Sequence, residues 1–182
     1  SETGFLSKVR MRLRRLMLED KEAFYAALKG FPDESNFKFI PILDPLSLSF
    51  EEFLKKLDEM EKGENLPDGF VPDTLLFAFN ENGEIVGRSS IRHRLNAHLE
   101  KYGGHIGYCV LPKFRRQGYA SKILKESLKF CREVLGLKRV LITCDDTNVA
   151  SIKTIEKNGF TEFTLYSDEK LSVPKRHYWV NL

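Results

Sequence analysis

Residues 112–121 read Pro-Lys-Phe-Arg-Arg-Gln-Gly-Tyr-Ala-Ser and lead straight into a long apolar-periodic stretch. The start of a helix carries backbone N–H groups without intrahelical partners, and the summed peptide dipoles make that end positive. Gly118 lets a ligand approach the main chain closely, and Arg115 and Arg116 add positive charge. The combination suits a phosphate or pyrophosphate. It is not a P-loop, since the chain has no GxxxxGK[ST]. It is not the dinucleotide fingerprint either: there is no GxGxxG, and the turn is too long. Taken alone, an RxxGxA also fits a surface helix that merely begins with arginines.

The anion site needs a strand that stops at Pro112 and a helix that starts near Gly118. Residues 105–111, His-Ile-Gly-Tyr-Cys-Val-Leu, read as that strand. The helix covers roughly 118–135, with Ala120, Ile123, Leu124, Ser127, Leu128, Cys131 and Leu135 at helical spacing and Gly136 as its stop. Residues 139–144, Arg-Val-Leu-Ile-Thr-Cys, form a continuous apolar run, hence a strand buried on both faces. The span from 105 to 144 has the length of a βαβ crossover, which predicts parallel neighbours. A second helix lies in 147–159, and strands at about 160–166 and 176–181 finish the chain.

Upstream, residues 8–16 alternate charged and apolar and predict a strand with one wet face. Asp20 opens a short helix that stops at Gly30. Residues 31–47 are irregular, with Pro32, Pro41 and Pro45. Residues 49–63 carry a helix with Ser49 as cap and Glu52 three residues later. Strands at 74–79 and 84–93 flank an Asn-Glu-Asn-Gly turn, and a polar stretch occupies 94–102. The order of elements predicts a single domain over 1–182 of mixed α/β class.

The segment from Val110 to Leu124 resembles the acetyl-CoA pyrophosphate loop of the GNAT superfamily of N-acetyltransferases. There a strand ends V-x-P, and [RQ]-x-x-G-x-[GA] opens a helix; Arg115, Gly118 and Ala120 fill the defined positions. Residues 147–160 are similar to the downstream family segment through Asn148, Ser151, Glu156, Lys157, Gly159 and Phe160. The likeness runs over about 75–165 and is thin before residue 70. It implies a central mixed sheet of about seven strands, splayed between the fourth and fifth, with about four helices. It further implies transfer of an acetyl group from acetyl-CoA to a primary amine by direct attack on the thioester. The cofactor would be held by Val110, Arg115, Arg116, Gln117, Gly118, Tyr119, Ala120, Ser121, Asn148 and Ser151. The Val110 backbone N–H would face the thioester carbonyl as oxyanion donor, a contact typically worth about 3–4 kcal/mol.

One departure matters. Where many relatives carry a tyrosine that protonates the leaving thiolate, this chain has Ile155. Tyr119 is a weak substitute, because its position normally faces away. A lysine-like amine is neutral in only about one molecule in 10³ at pH 7, so a general base would help. His105 and Tyr108 rank first as catalytic side chains; His93, Glu100, Asp145 and Asp146 follow. Each has a plainer reading: His105 as a satisfied core histidine, Tyr108 as a packing residue, the two aspartates as caps of the next helix. A covalent route through Cys109 lacks an adjacent activating base in sequence. The alternative function is a catalytically silent acyl-CoA sensor or scaffold, which the isoleucine keeps open.

Composition limits the partners. The 182 residues are 42% hydrophobic and 30% charged with a net charge of +3, a globular balance too mild to argue for nucleic acid. The basic residues at 8–16 are not interleaved with stacking aromatics. Cys109, Cys131 and Cys144 have no zinc spacing and read as buried thiols in a reducing cytoplasm. No apolar run reaches membrane-span length, and the N-terminus lacks a signal-peptide core. The expected partner is a small-molecule or peptide amine, with the protein a monomer or homodimer and no metal. Residues 20–72 and 94–103 would set the acceptor, and they carry no motif.

Overall fold

The computed structural model describes residues 8–32 and 37–182. Ser1 to Gly4, which show no pattern in sequence, lie outside that range. Among the described residues, seven strands form two antiparallel sheets: β1 (Arg12–Arg14), β2 (Asp73–Phe79), β3 (Ile85–Arg92) and β4 (Ile106–Val110) in the order β1-β2-β3-β4, and β5 (Arg139–Asp145), β6 (Thr164–Tyr166) and β7 (Lys175–Asn181) in the order β5-β7-β6. The described residues contain four α-helices: α1 (Lys21–Gly30), α2 (Phe50–Lys62), α3 (Tyr119–Glu133) and α4 (Val149–Lys157). The break between fourth and fifth strands is the expected splay.

Both faces of the first sheet are covered. On one, Leu75, Phe77, Phe79 and Leu111 pack with Phe24 of α1 and Phe50 and Phe53 of α2. On the other, Leu76, Ile91 and Ile106 join Leu124 and Leu128 of α3, and the same core continues into Val140, Ile142, Tyr178 and Ile155 of the second half. The halves therefore share a packed layer although they do not share a ladder. Helix α2 follows its sequence signals: the Ser49 hydroxyl accepts from Glu52 N at 3.2 Å, the Glu52 carboxylate accepts from Ser49 N at 2.8 Å, and Gly63 closes the helix at φ 75°.

Three expectations change. Strands β4 and β5 are not parallel neighbours; they meet at one isolated antiparallel bridge, Gly104 to Ile142. The reason lies in His105, whose N–H bonds Leu141 O at 2.8 Å while its Nδ1 accepts from Leu141 N at 2.9 Å. A side chain thus takes the donor that a ladder would use. Gly104 makes the approach possible: it sits at φ 65°, and a Cβ there would stand 2.5 Å from Leu141 O. Asp20 does not cap α1 with its side chain; its carboxylate binds Arg14 at 2.7 and 2.9 Å. The polar stretch before β4 holds a π-helix, Leu99–Gly103. Arg10 and Arg15 are also paired, with Glu81 and Glu61, so much of the basic N-terminal charge is engaged within the chain.

Candidate functional site

Between β4 and α3 the chain turns through Pro112–Phe114 in a 3-10 turn and then bends sharply. Arg116 lies at φ 62° and Gly118 at φ 87°, two left-handed residues bracketing Gln117. For arginine that conformation is uncommon and costs energy. Among the described residues, the backbone N–H groups of Arg116 through Ser121 make no backbone hydrogen bond; the first helical bond is Lys122 N to Gly118 O at 3.2 Å. No side chain caps this helix start. Six donors thus converge at the positive end of a 15-residue helix, the arrangement an anion needs. The Arg115 guanidinium turns back and donates from Nε to Val110 O at 3.2 Å, tying the bend to the end of β4. Beside the bend a cavity of about 460 Å³ is lined by Lys8, Arg10, Gln117 and Tyr119.

The ladder register decides where β4 points. Arg92 N bonds His105 O and Leu111 N bonds Val86 O, each at 2.8 Å. In an antiparallel pair such bonds recur at every second residue, so Gly107 and Cys109 also face β3. Tyr108 and Val110 therefore turn their N–H groups to the open edge, toward the gap.

Tyr108 sends its side chain into the layer shared by the two halves. Its hydroxyl is buried with no hydrogen-bond partner. Ser151 and Thr154 of α4 stand beside it, but Thr154 Oγ1 donates instead to Ala150 O at 2.9 Å. Burial holds the phenol well above the ordinary tyrosine range, so it stays protonated. Ile155, one turn along, is fully buried in the core.

The other candidates are engaged elsewhere. The His105 Nδ1 lone pair is taken by Leu141 N–H, and burial lowers its pKa to about 4, with Arg92 adding to the effect. It is a neutral strut between the halves, not a general base. Stability follows with a definite sign. The unfolded histidine binds a proton near pH 6.5 and the folded one near 4, so the contribution is full above 6.5 and is lost as pH falls toward 4. His105→Gln should flatten that part of the curve of melting temperature against pH; an unchanged slope would overturn the assignment. Asp145 pairs with Lys175 at 2.8 Å and Asp146 with Arg176 at 2.6 Å, and neither caps the next helix. The cap of α4 is Asn148, whose Oδ1 accepts from Ser151 N at 3.1 Å. Asn148 thus stands off the helix body, and its carbonyl is used structurally. His93 Nε2 lies 2.7 Å from Thr74 Oγ1, with its pKa lowered by burial. Glu100 is exposed in the π-helix. The Cys109 thiol is pushed up by burial, against the needs of a nucleophile. Tyr119 packs edge-on to Phe114 at 6.3 Å, beside the bend and not in the gap.

A converging amide bend, an open strand edge beside it and a sheet split between fourth and fifth strands are now in place, and the Acetyltransferase (GNAT) domain profile matches residues 10–161. The chain belongs to the GNAT acetyltransferase family. It is similar to the uncharacterized N-acetyltransferase YnaD of Bacillus subtilis (strain 168), at 22% identity over 171 residues, covering 93% of this chain and 88% of that protein. Solved structures agree on the fold. One titled as a probable acetyltransferase superposes with a TM-score of 0.67 at 17% identity, covering 97% of this chain and 94% of the other. An acetyltransferase from Agrobacterium tumefaciens str. C58 gives 0.61 at 17% identity, covering 95% and 91%. This GNAT chain is an acetyltransferase enzyme of mixed α/β fold. No helix among its described residues is long and apolar enough to cross a membrane.

Proposed function

We propose that this enzyme transfers the acetyl group of acetyl-CoA to a primary amine by direct attack on the thioester. The observation that carries the reading is the set of unbonded amides from Arg116 to Ser121 beside the open edge of β4. The pyrophosphate lies on those amides, with Arg116 and the start of α3 supplying positive charge. The pantetheine arm runs along β4 as an added strand would. The outward N–H groups of Tyr108 and Val110 divide its carbonyls between them. The thioester carbonyl takes one, with Val110 the donor that the resemblance implies. As the amine attacks, negative charge grows on that oxygen and the fixed N–H stabilises it without reorganisation.

The nitrogen forms its bond to the acetyl carbon while the C–S bond breaks and the electron pair leaves on sulfur. The Tyr108 hydroxyl, kept protonated by burial, donates a hydrogen bond to the departing sulfur, which leaves as the thiolate and takes its proton from solvent. That hydroxyl stands beside Ser151 and Thr154, on the turn of α4 that carries Ile155, so the donor to sulfur has moved from helix to strand. The protonated amide nitrogen loses its extra proton to water. His105, His93, Asp145 and Asp146 each hold a partner of their own and Glu100 is exposed to solvent, and on this reading the amine enters already neutral. Acetyl-CoA turnover over a panel of primary amines, read as thiol release, tests the activity. Release that depends on amine and grows with pH is expected; tight CoA binding with no turnover on any amine would favour a sensor.

A further inference from the structure

On the face of the first sheet that carries α1 and α2, a cavity of about 480 Å³ lies between the π-helix and the segments around residues 41 and 70. Its walls are largely apolar, with Ile42, Phe70, Val71 and Leu99 among them, and Asp73 and Arg92 also line it. Asp73 is 2% exposed. Its two oxygens differ. Oδ2 accepts from Ser90 Oγ at 2.7 Å and faces Arg92 Nε at 3.7 Å. Oδ1 is buried and has no hydrogen-bond partner. A buried carboxylate oxygen without a donor is costly, and native sites that keep one have a use for it.

We propose that Asp73 Oδ1 binds a second, protonated nitrogen of the acceptor, and that the acceptor class is a molecule with two amines joined by an apolar spacer. The inference rests on the acetyl-transfer reading above. Arg92 and Ser90 both stand on the Oδ2 side and leave Oδ1 without a donor. Arg88, the other buried arginine of this face, bonds Phe39 O at 2.6 Å, Lys38 O at 3.0 Å and Gly107 O at 3.4 Å. His98, at the rim, is exposed. The Arg92 guanidinium extends over Gly107, where a Cβ would lie 3.3 Å from Nη1. Gly107 directly precedes Tyr108, whose N–H faces the gap. Arg92 thus links the cavity wall at Asp73 to the strand that borders the gap.

The register sets the length. Asp73 pairs with Arg92, in the row of His105, two strands from β4 and five residues short of Val110. Strand spacing and rise put the two Cα atoms about 19 Å apart, which leaves about 15 Å between the nitrogens once the carboxylate's reach is subtracted. The apolar walls suit the methylenes between them.

The test is calorimetry of the full chain with saturating CoA, titrated with α,ω-diaminoalkanes from four to fourteen carbons and with n-alkylamines of equal length. A preference of at least tenfold for the diamine, largest near a separation of about 15 Å and lost in Asp73→Asn, is the expected result. Equal affinities at every length, or a preference that survives in Asp73→Asn, would overturn the proposal. Should Asp73→Asn fail to fold, the native chain decides alone, because the monoamine lacks only the contact at issue. Binding is read without turnover. Asp73-dependent diamine binding with no acetylation would therefore sink the transfer reading and spare this one, while amine acetylation without diamine preference would do the reverse.

Discussion

Gly118→Asp abolishes CoA binding. The residue sits at φ 87° and ψ 2° at the head of α3, among the six amides that have no backbone partner. A carboxylate there faces the pyrophosphate. One pair of like charges at about 4 Å opposes binding by about 4 kcal/mol at an effective dielectric of 20, or roughly a thousandfold in affinity. Asparagine tolerates the left-handed region as well as aspartate does and carries no charge. Gly118→Asn therefore isolates the electrostatic part and should weaken CoA far less. Calorimetry on both variants, with circular dichroism as the check on folding, gives the answer. Equal affinities for the two, or an unaltered affinity for Gly118→Asp, would remove the phosphate from this bend.

Tyr108→Phe lowers kcat by about a hundredfold and leaves CoA affinity near the native value. Removing one hydrogen-bond donor to developing charge costs about 10²–10³-fold, and a thiol of pKa near 8.5 is a tolerable leaving group, so the effect falls at the low end. The side chain faces the shared layer while the backbone N–H faces the gap, so removing the hydroxyl spares the strand edge. The hydroxyl has no hydrogen bond to lose, so stability should hardly change. The pH profile supplies a second readout. With the phenol held high by burial, the native enzyme shows no alkaline loss from this group within the ordinary tyrosine range. With the amine entering neutral, kcat/KM climbs with pH toward the acceptor's own pKa, with no inflection from His105 between pH 6 and 8. A native kcat in Tyr108→Phe would show that the sulfur leaves without a donor from this residue.

Much of this was legible in the residues. Ser49, Glu52 and Gly63 announce α2 because a capping box and a left-handed glycine are local devices, complete within a few residues. The apolar run at 139–144 announces a strand buried on both faces for the same reason. What escaped was set by partners distant in sequence. The π-helix at Leu99–Gly103 is held by Thr143 Oγ1 donating to Tyr102 O at 3.2 Å and by Tyr102 bonding Asp168, and nothing in its own residues names those contacts. Asp20 has the right type for a cap, but the Arg14 guanidinium won it. Asp145 and Asp146 were weighed as bases or caps before Lys175 and Arg176 of β7 could be placed beside them. Asp73 was hidden in a Pro-Asp sequence that looks like a loop. A bulge at Ala78/Phe79 shifts the hairpin, so counting back from the turn alone misplaces it. His105 offered two readings, and only the Leu141 N–H on its ring chose between them.

The unclosed side of β4 has a further consequence. A strand margin with spare main-chain groups will accept any extended polypeptide that drifts near, and folded proteins ordinarily shield such margins. On the proposed reading the shield is the cofactor itself. An enzyme filled at a hundred times its dissociation constant is harder to unfold by about 2.7 kcal/mol, and its sticky flank is covered as well. Scarcity of the acyl donor would then do more than slow the reaction. It would shorten the survival of the catalyst, so that the amount of enzyme follows the supply of what it consumes.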